Sequence, residues 1–236
     1  MSVSGISSTN DAYTKLSSMK NINSAKDNAA GAAIVEGMKA QATENNVLAD
    51  GAESKQDMLS VTDGGLQSIS DSLQRMRELS IQAGNATNTD SDKATIQEEI
   101  EQLKQGISST AGNTEFNTKK LLDGNSDSNA TLGALGISDY DVTSGDYDVS
   151  VIDDAIKTIN SKRSSVGATS NALDSTVAYN KLSNENLTSS FSKMEDLDVE
   201  KAVSDQKKEE ILNEYKTFAQ KMEQNQVQGT LNLLNM

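Results

Sequence analysis

The chain has 236 residues and contains no proline, cysteine, histidine or tryptophan. Each absence excludes something. Without cysteine there are no disulfides and no thiolate metal sites. Without histidine there is no imidazole catalysis and no HExxH zinc motif. Without proline nothing breaks a helix interior by removing a hydrogen bond and clashing with the preceding turn. Aromatic residues are scarce, at 3%, although large rings usually supply much of a globular core. Basic charge is also short: 21 Lys and Arg stand against 35 Asp and Glu, a net charge of −14. Such a surface repels phosphate backbones and disfavours a polybasic grip on anionic lipid. No apolar run is long enough to span a bilayer. The N-terminus, Met1 to Asn10, lacks a basic-plus-apolar signal-peptide layout. A cytosolic protein and a protein exported without a cleaved signal both fit.

Alanine, serine, asparagine and short aliphatics dominate what is present, which suits long thin helices meeting along narrow seams. Residues 1 to 26 are rich in Ser, Thr and Asn. Near Asp27 the composition becomes helix-favouring, with Ala29, Ala30, Ala32 and Ala33. From Leu59 the positions Leu59, Thr62, Leu66, Ile69, Leu73, Met76, Ser80 and Ala83 fall alternately three and four apart, a heptad seam. Gly31, Gly37, Gly51, Gly64 and Gly65 weaken this run by about 1 kcal/mol each relative to Ala, so the helix needs packing partners. GNATNTDSD, Gly84 to Asp92, is a turn cluster, and Asp90 or Ser91 is suited to cap a second helix. That helix carries Ile96, Ile100, Leu103 and Ile107 on one stripe and ends near Thr110 to Gly112. The order predicts an antiparallel hairpin of helices.

Residues 113 to 150 are punctuated by Gly124, Gly133, Gly136 and Gly145. Tyr147, Val149 and Val151 alternate with polar residues and predict a short strand within one β-hairpin. A third helix is predicted from Ser150 or Asp153. Its heptad positions 152, 156, 159, 163, 166, 170, 173, 177, 180, 184, 187, 191 and 194 hold mainly Ile, Val, Leu, Phe and Met, with polar breaks at Arg163, Ser170, Asn180 and Asn184. The segment Glu195 to Asp198 reads as a boundary. A last helix follows with Ile211, Tyr215, Phe218 and Met222 on one edge, continued by Val227, Leu231 and Leu234. The expected fold class is mainly α: an elongated antiparallel helical bundle or coiled-coil rod with a small β-hairpin region. Carboxylates are so common that no pair of them stands out as catalytic, and no enzymatic signature is present. Neither cofactor nor metal is expected.

Several segments resemble the bacterial flagellin family. They are INSAKDNAAGAAI (Ile22 to Ile34), LQRMRELSIQAGNATNTDSD (Leu73 to Asp92) and IQEEIEQLKQGISSTAGNTEFNTKKLLDGN (Ile96 to Asn125). Toward the other end, IDDAIKTINSKRSSVGATSNAL (Ile152 to Leu173), NENLTSSFSKMEDLDVEKA (Asn184 to Ala202) and QGTLNLL (Gln228 to Leu234) complete a colinear set. Unrelated acidic coiled coils share heptads, but not this ordered series.

The resemblance implies a self-assembling filament subunit with three parts. Segment 1–26 would pair with 196–236 as a terminal coiled coil. Segments 27–123 and 151–195 would form the helical core domain. Segment 124–150 would be a short variable β/loop region, which projects outward in the family. It further implies export by the flagellar type III route, an extracellular location, an export chaperone, and self and other flagellar subunits as partners. The segment ahead of INSAKD is shorter than the family's usual N-terminal helix. Arg75, Leu79 and Glu99 match a family surface that binds Toll-like receptor 5 and also serves subunit packing. A bland alternative has Leu79 in the core and Arg75 and Glu99 solvated or paired between helices. Ile211, Tyr215, Phe218 and Met222 are candidates for the terminal assembly helix. Competing functions are a minor or hook–filament junction component, or a secreted monomeric ligand of the immune receptor. The Asn-x-Thr triplets at Asn85, Asn129 and Asn186 are read as chance in a bacterial protein, and the Ser/Thr-rich loop from Asn125 to Ser144 as a possible carrier of O-glycans.

Overall fold

The computed structural model describes residues 13–23 and 25–234, with side chains described as far as residue 227. The part of the N-terminal segment before residue 13 and the apolar edge at Leu231 and Leu234 lie outside that description. Four long helices carry the chain: α1, Ala29–Ala83; α2, Asp90–Asn113; α3, Ser150–Glu195; and α4, Val199–Leu234. Two two-residue strands, β1 (Glu115–Phe116) and β2 (Lys119–Lys120), follow α2 and pair antiparallel. The protein is thus mainly α with one small hairpin. The chain divides into two compact units, one of residues 1–46 with 182–236 and the other of residues 47–181.

In the unit of residues 47–181 the two heptad seams meet. Leu66, Ile69, Leu73, Met76 and Ala83 of α1 share one buried cluster with Ile96, Ile100 and Ile107 of α2 and Ile152, Ile159 and Val166 of α3. Every heptad position named above on α3 is buried or half-buried along the whole helix. Polar pairs along the flanks give the direction. Arg77 bonds Asp153 at 2.6 Å, Arg163 bonds Asp63 at 2.9 Å, Gln56 bonds Asp174, and Lys181 bonds Glu53 at 2.5 Å. Rising numbers on α1 meet falling numbers on α3, so the helices are antiparallel.

The α1 seam begins earlier than its large residues suggest. Gly31, Val35, Ala42, Ala49 and Ala52 are buried, and Met38, Asn45, Gln56 and Leu59 are half-buried. The spacing is again four and three, but Gly, Ala, Asn and Gln take six of the nine positions, so hydropathy alone hides it. In the unit holding residues 1–46, α1 and α3 are joined by Asn45 donating to Ser183 Oγ at 2.9 Å and by a bond from Asn184 to Asn46. A polar layer of this kind favours one register over apolar packing strength.

Two local expectations are corrected. Thr89, not Asp90 or Ser91, caps α2. Its hydroxyl accepts from Asp92 N, and the Asp92 carboxylate accepts from Thr89 N at 2.9 Å, a reciprocal capping box. Tyr147 to Val151 is not a strand, and no strand occurs among residues 124–150. Asp148 instead accepts from Ser150 N at 2.8 Å and from its hydroxyl at 2.6 Å, which turns the chain into α3. The hairpin lies ahead of that region, where Asn117 and Thr118, at φ 47° and 65°, form a two-residue turn between the strands.

Residues 121–149 form a series of turns that lies over the core. Leu121, Leu122, Ala130, Leu135, Ile137, Tyr140 and Val142 are buried in the same cluster as the helices. Much of the expected variable region therefore covers the bundle rather than leaving it. Gln97 holds it down: its Oε1 accepts from Val142 N at 2.9 Å, and buried Lys104 reaches Glu101 at 2.8 Å and the Tyr140 carbonyl at 3.5 Å. Gly65 lets this layer approach α1, since a Cβ there would lie 2.7 Å from Leu122 Cδ1 and from Thr114 Oγ1.

Candidate assembly and recognition surfaces

Arg75 and Glu99 stand on adjacent helices and meet. The guanidinium donates to Glu99 through Nε at 2.9 Å and Nη2 at 2.8 Å, and to Glu78 through Nη1 at 3.2 Å. The hydrogen bonds to Glu99 and then Glu78 push the Arg75 pKa up from its ordinary value. All three side chains stay solvent-accessible. A fork geometry held by two carboxylates gives a pre-oriented polar patch. Leu79 is 1% exposed and belongs to the apolar cluster beneath it. It therefore holds the α1 face that displays Arg75 rather than offering an apolar contact itself. Glu78 was missed by the motif comparison; its signal was the three-residue spacing from Arg75, which places both on one helix face.

The α4 edge has the opposite character. Ile211, Tyr215, Phe218 and Met222 are 66%, 70%, 62% and 53% exposed, and Leu212 and Val227 are also open. Helical periodicity places Ile211, Tyr215, Phe218 and Met222 on one side, where they face solvent. The N-terminal segment reaches α4: residues 13–18 are helical, and Tyr13 Oη donates to Glu210 at 3.4 Å.

Where the N-terminal segment meets the junction between α3 and α4, a short backbone bridge forms. Lys20 pairs with Asp196, Asn21 N donates to Glu195 O at 2.6 Å, and Leu197 N donates to Met19 O at 3.0 Å. Met19 adopts φ 58° to make the turn. Sequence reading marked Glu195 only as a boundary, because its partners Lys20 and Lys39 are distant in the chain.

No described helix is long and apolar enough to cross a membrane, and no group of three potential ligands for a metal occurs among the described residues. The family comparison places both ends of the fold. Residues 3–127 match the model of the bacterial flagellin N-terminal helical region, and residues 149–234 match that of the bacterial flagellin C-terminal helical region. The chain belongs to the flagellin family. It is 31% identical to a flagellin of Halalkalibacterium halodurans over 94% of this chain and 90% of that one. It is 32% identical to a flagellin of Bacillus subtilis strain 168, over 93% and 90%. The flagellar filament 33 kDa core protein of Treponema phagedenis is 30% identical over the same shares. The crystal structure of Bacillus cereus flagellin aligns with 56% of this chain and 88% of its own, at a TM-score of 0.49 and 26% identity. In this flagellin the two matched regions contain the antiparallel pair α1 and α3, and residues 128–148, between the matches, form the turns over the core. The family is structural.

Proposed function

We infer that this flagellin is a structural subunit of the bacterial flagellar filament, serving motility by packing against copies of itself outside the cell. The observation that carries this reading is the presence of both family regions together with a solvent-exposed apolar edge on α4. Burying that edge against neighbours gains about 25 cal/mol per Å² of apolar area removed from water. A solitary helix gains nothing from it. We assign segment 1–26 with 196–236 to assembly, and segments 27–123 and 151–195 to the supporting helical core, with 124–150 as its short surface region. Export by the flagellar type III route with a chaperone suits a chain without cysteine, which needs no disulfide to form its fold outside the cell.

The test is sedimentation and electron microscopy of purified protein after salt- or seed-induced assembly. Ordered filaments are the expected result, and a chain that stays monomeric under every such condition would favour a junction component or a soluble ligand. A second reading rests on the Arg75–Glu99 patch. Its exposure and fixed geometry fit recognition by Toll-like receptor 5 in the monomer, with Leu79 acting from beneath. Arg75→Ala should weaken receptor binding by surface plasmon resonance while leaving helicity unchanged. Equal binding by both forms removes the patch from that role.

A further inference from the structure

We propose that Glu195 is a positioning residue for assembly, whose carboxylate ties the N-terminal segment and the start of α4 to α1 so that the two terminal segments are presented together. This rests on the filament reading above. Two distant parts of the chain converge on this one α3 carboxylate: Lys20 Nζ lies 2.5 Å from Oε1 and Lys39 Nζ lies 2.6 Å from Oε2. The Lys39 ammonium also stands 5.7 Å from the Phe191 ring centroid, a cation–π contact one turn back on α3. The Glu195 side chain is only 8% exposed, whereas every other ion-paired carboxylate among the described residues keeps between 40% and 73% exposure. Its place is unfavourable on two counts. A carboxylate at a helix C-terminus opposes the helix dipole, and a buried one costs free energy unless paired. Both costs are offset only while Lys20 and Lys39 stay in position. The carboxylate therefore holds the Lys20 loop, and with it the backbone bridge from Asn21 to Glu195 and from Leu197 to Met19.

The clamp has a definite pH response. Hydrogen bonds from Lys20 and then Lys39 hold the Glu195 carboxyl below its ordinary range. Bonding to Glu195 raises Lys20, with Asp196 and Glu36 adding smaller favourable fields. A depressed acid contributes stability above its unfolded pKa and loses it as pH falls through the folded value. The clamp thus stays closed through the ordinary glutamate range and opens below it. Because the carboxylate is buried, salt screens this pair less than the exposed ones.

The experiment measures hydrogen-exchange protection factors at the Asn21 and Leu197 amides of the full chain, together with the critical concentration for sedimentation. Glu195→Gln keeps the shape and removes the charge. It should lower protection at both amides and raise the critical concentration, each by about tenfold or more, with protection at Leu73 unchanged. The double variant Lys20→Gln with Lys39→Gln should reproduce both effects. In the unaltered chain the two amides should lose protection on acidification, while the Glu195→Gln profile should be flat through that window. Wild-type protection in Glu195→Gln overturns the clamp. Lost protection with unchanged assembly overturns its positioning role and leaves the filament reading intact. Failure of the unaltered chain to sediment under any salt condition overturns the filament reading, while the exchange arm still decides the clamp.

Discussion

A recurring triplet shapes the irregular parts of this flagellin. Asn85, Asn129, Asp141 and Asp148 each accept from the backbone N–H and the hydroxyl of the Thr or Ser two residues on. These are Asx turns, in which a short side chain imitates the backbone of a turn. Two of the Asn-x-Thr triplets, at Asn85 and Asn129, thereby gain a folding role. Thr143 holds the Asp141 carboxyl, and Ser150 the Asp148 carboxyl, below the usual range. At this scale Leu73 and Gly65 both sit in close packing. Leu73 is fully buried, and Leu73→Ala should cost about 2–5 kcal/mol in denaturant unfolding. Gly65→Ala should also destabilise the fold, although alanine is the better helix former, because the added methyl meets Leu122 and Thr114. A melting temperature equal to or above that of the unaltered chain would show that the hairpin layer yields to the methyl.

Among the elements, α1 and α4 contrast. The α1 seam is buried or half-buried from Gly31 to Ala83, with small residues such as Gly31, Ala42, Ala49 and Ala52 frequent in its first half and large ones such as Leu66, Ile69, Leu73 and Met76 in its second. The α4 edge is open, and short of packing partners a helix is marginal in water. Deleting the chain after Asp198 should therefore abolish sedimentable assembly while circular dichroism shows that the remaining helices persist. A truncated form that assembles as well as the full chain would remove α4 from the polymerising surface. The α2 cap offers a finer test. Thr89→Ala should cost roughly 0.5–2 kcal/mol by thermal unfolding, since it removes the acceptor for Asp92 N. No loss of stability would mean that water serves the freed amide equally well.

For the whole molecule, charge governs both association and acid response. Each subunit carries −14, so copies repel until salt screens them; the Debye length falls from ~30 Å at 0.01 M to ~8 Å at 0.15 M. Light scattering should accordingly show assembly strengthening over that range, and assembly that weakens would point to ion pairs between subunits as the main attraction. Asp92, Asp141, Asp148 and Glu195 all have depressed pKa values. Their shared contribution is present at neutral pH and lost on acidification below about pH 4, as each takes up a proton. The melting temperature should be flat near neutrality and fall in that acid window; a rise there would contradict the sign.

The sequence by itself determined the helices, their order and the family, because heptad spacing and colinear motifs are local properties of the chain. It also placed Ile211, Tyr215, Phe218 and Met222 on one side of α4 for the same reason. Tertiary structure decided what depends on residues far apart in number. The early α1 seam holds Gly31, Ala42, Asn45 and Ala49 beside Val35 and Met38, and the burial of the small and polar members follows from the neighbour they face rather than from their own hydropathy. The strand expected at Tyr147 became a helix entry because Asp148 found Ser150, and the middle segment became a cover because Gln97 and Lys104 held its backbone. Glu195 shows the difference most clearly: in sequence it is one acid among many. Only the fold brings Lys20 and Lys39 to it, since a buried carboxylate is tolerated where opposite charges converge from separate parts of the chain.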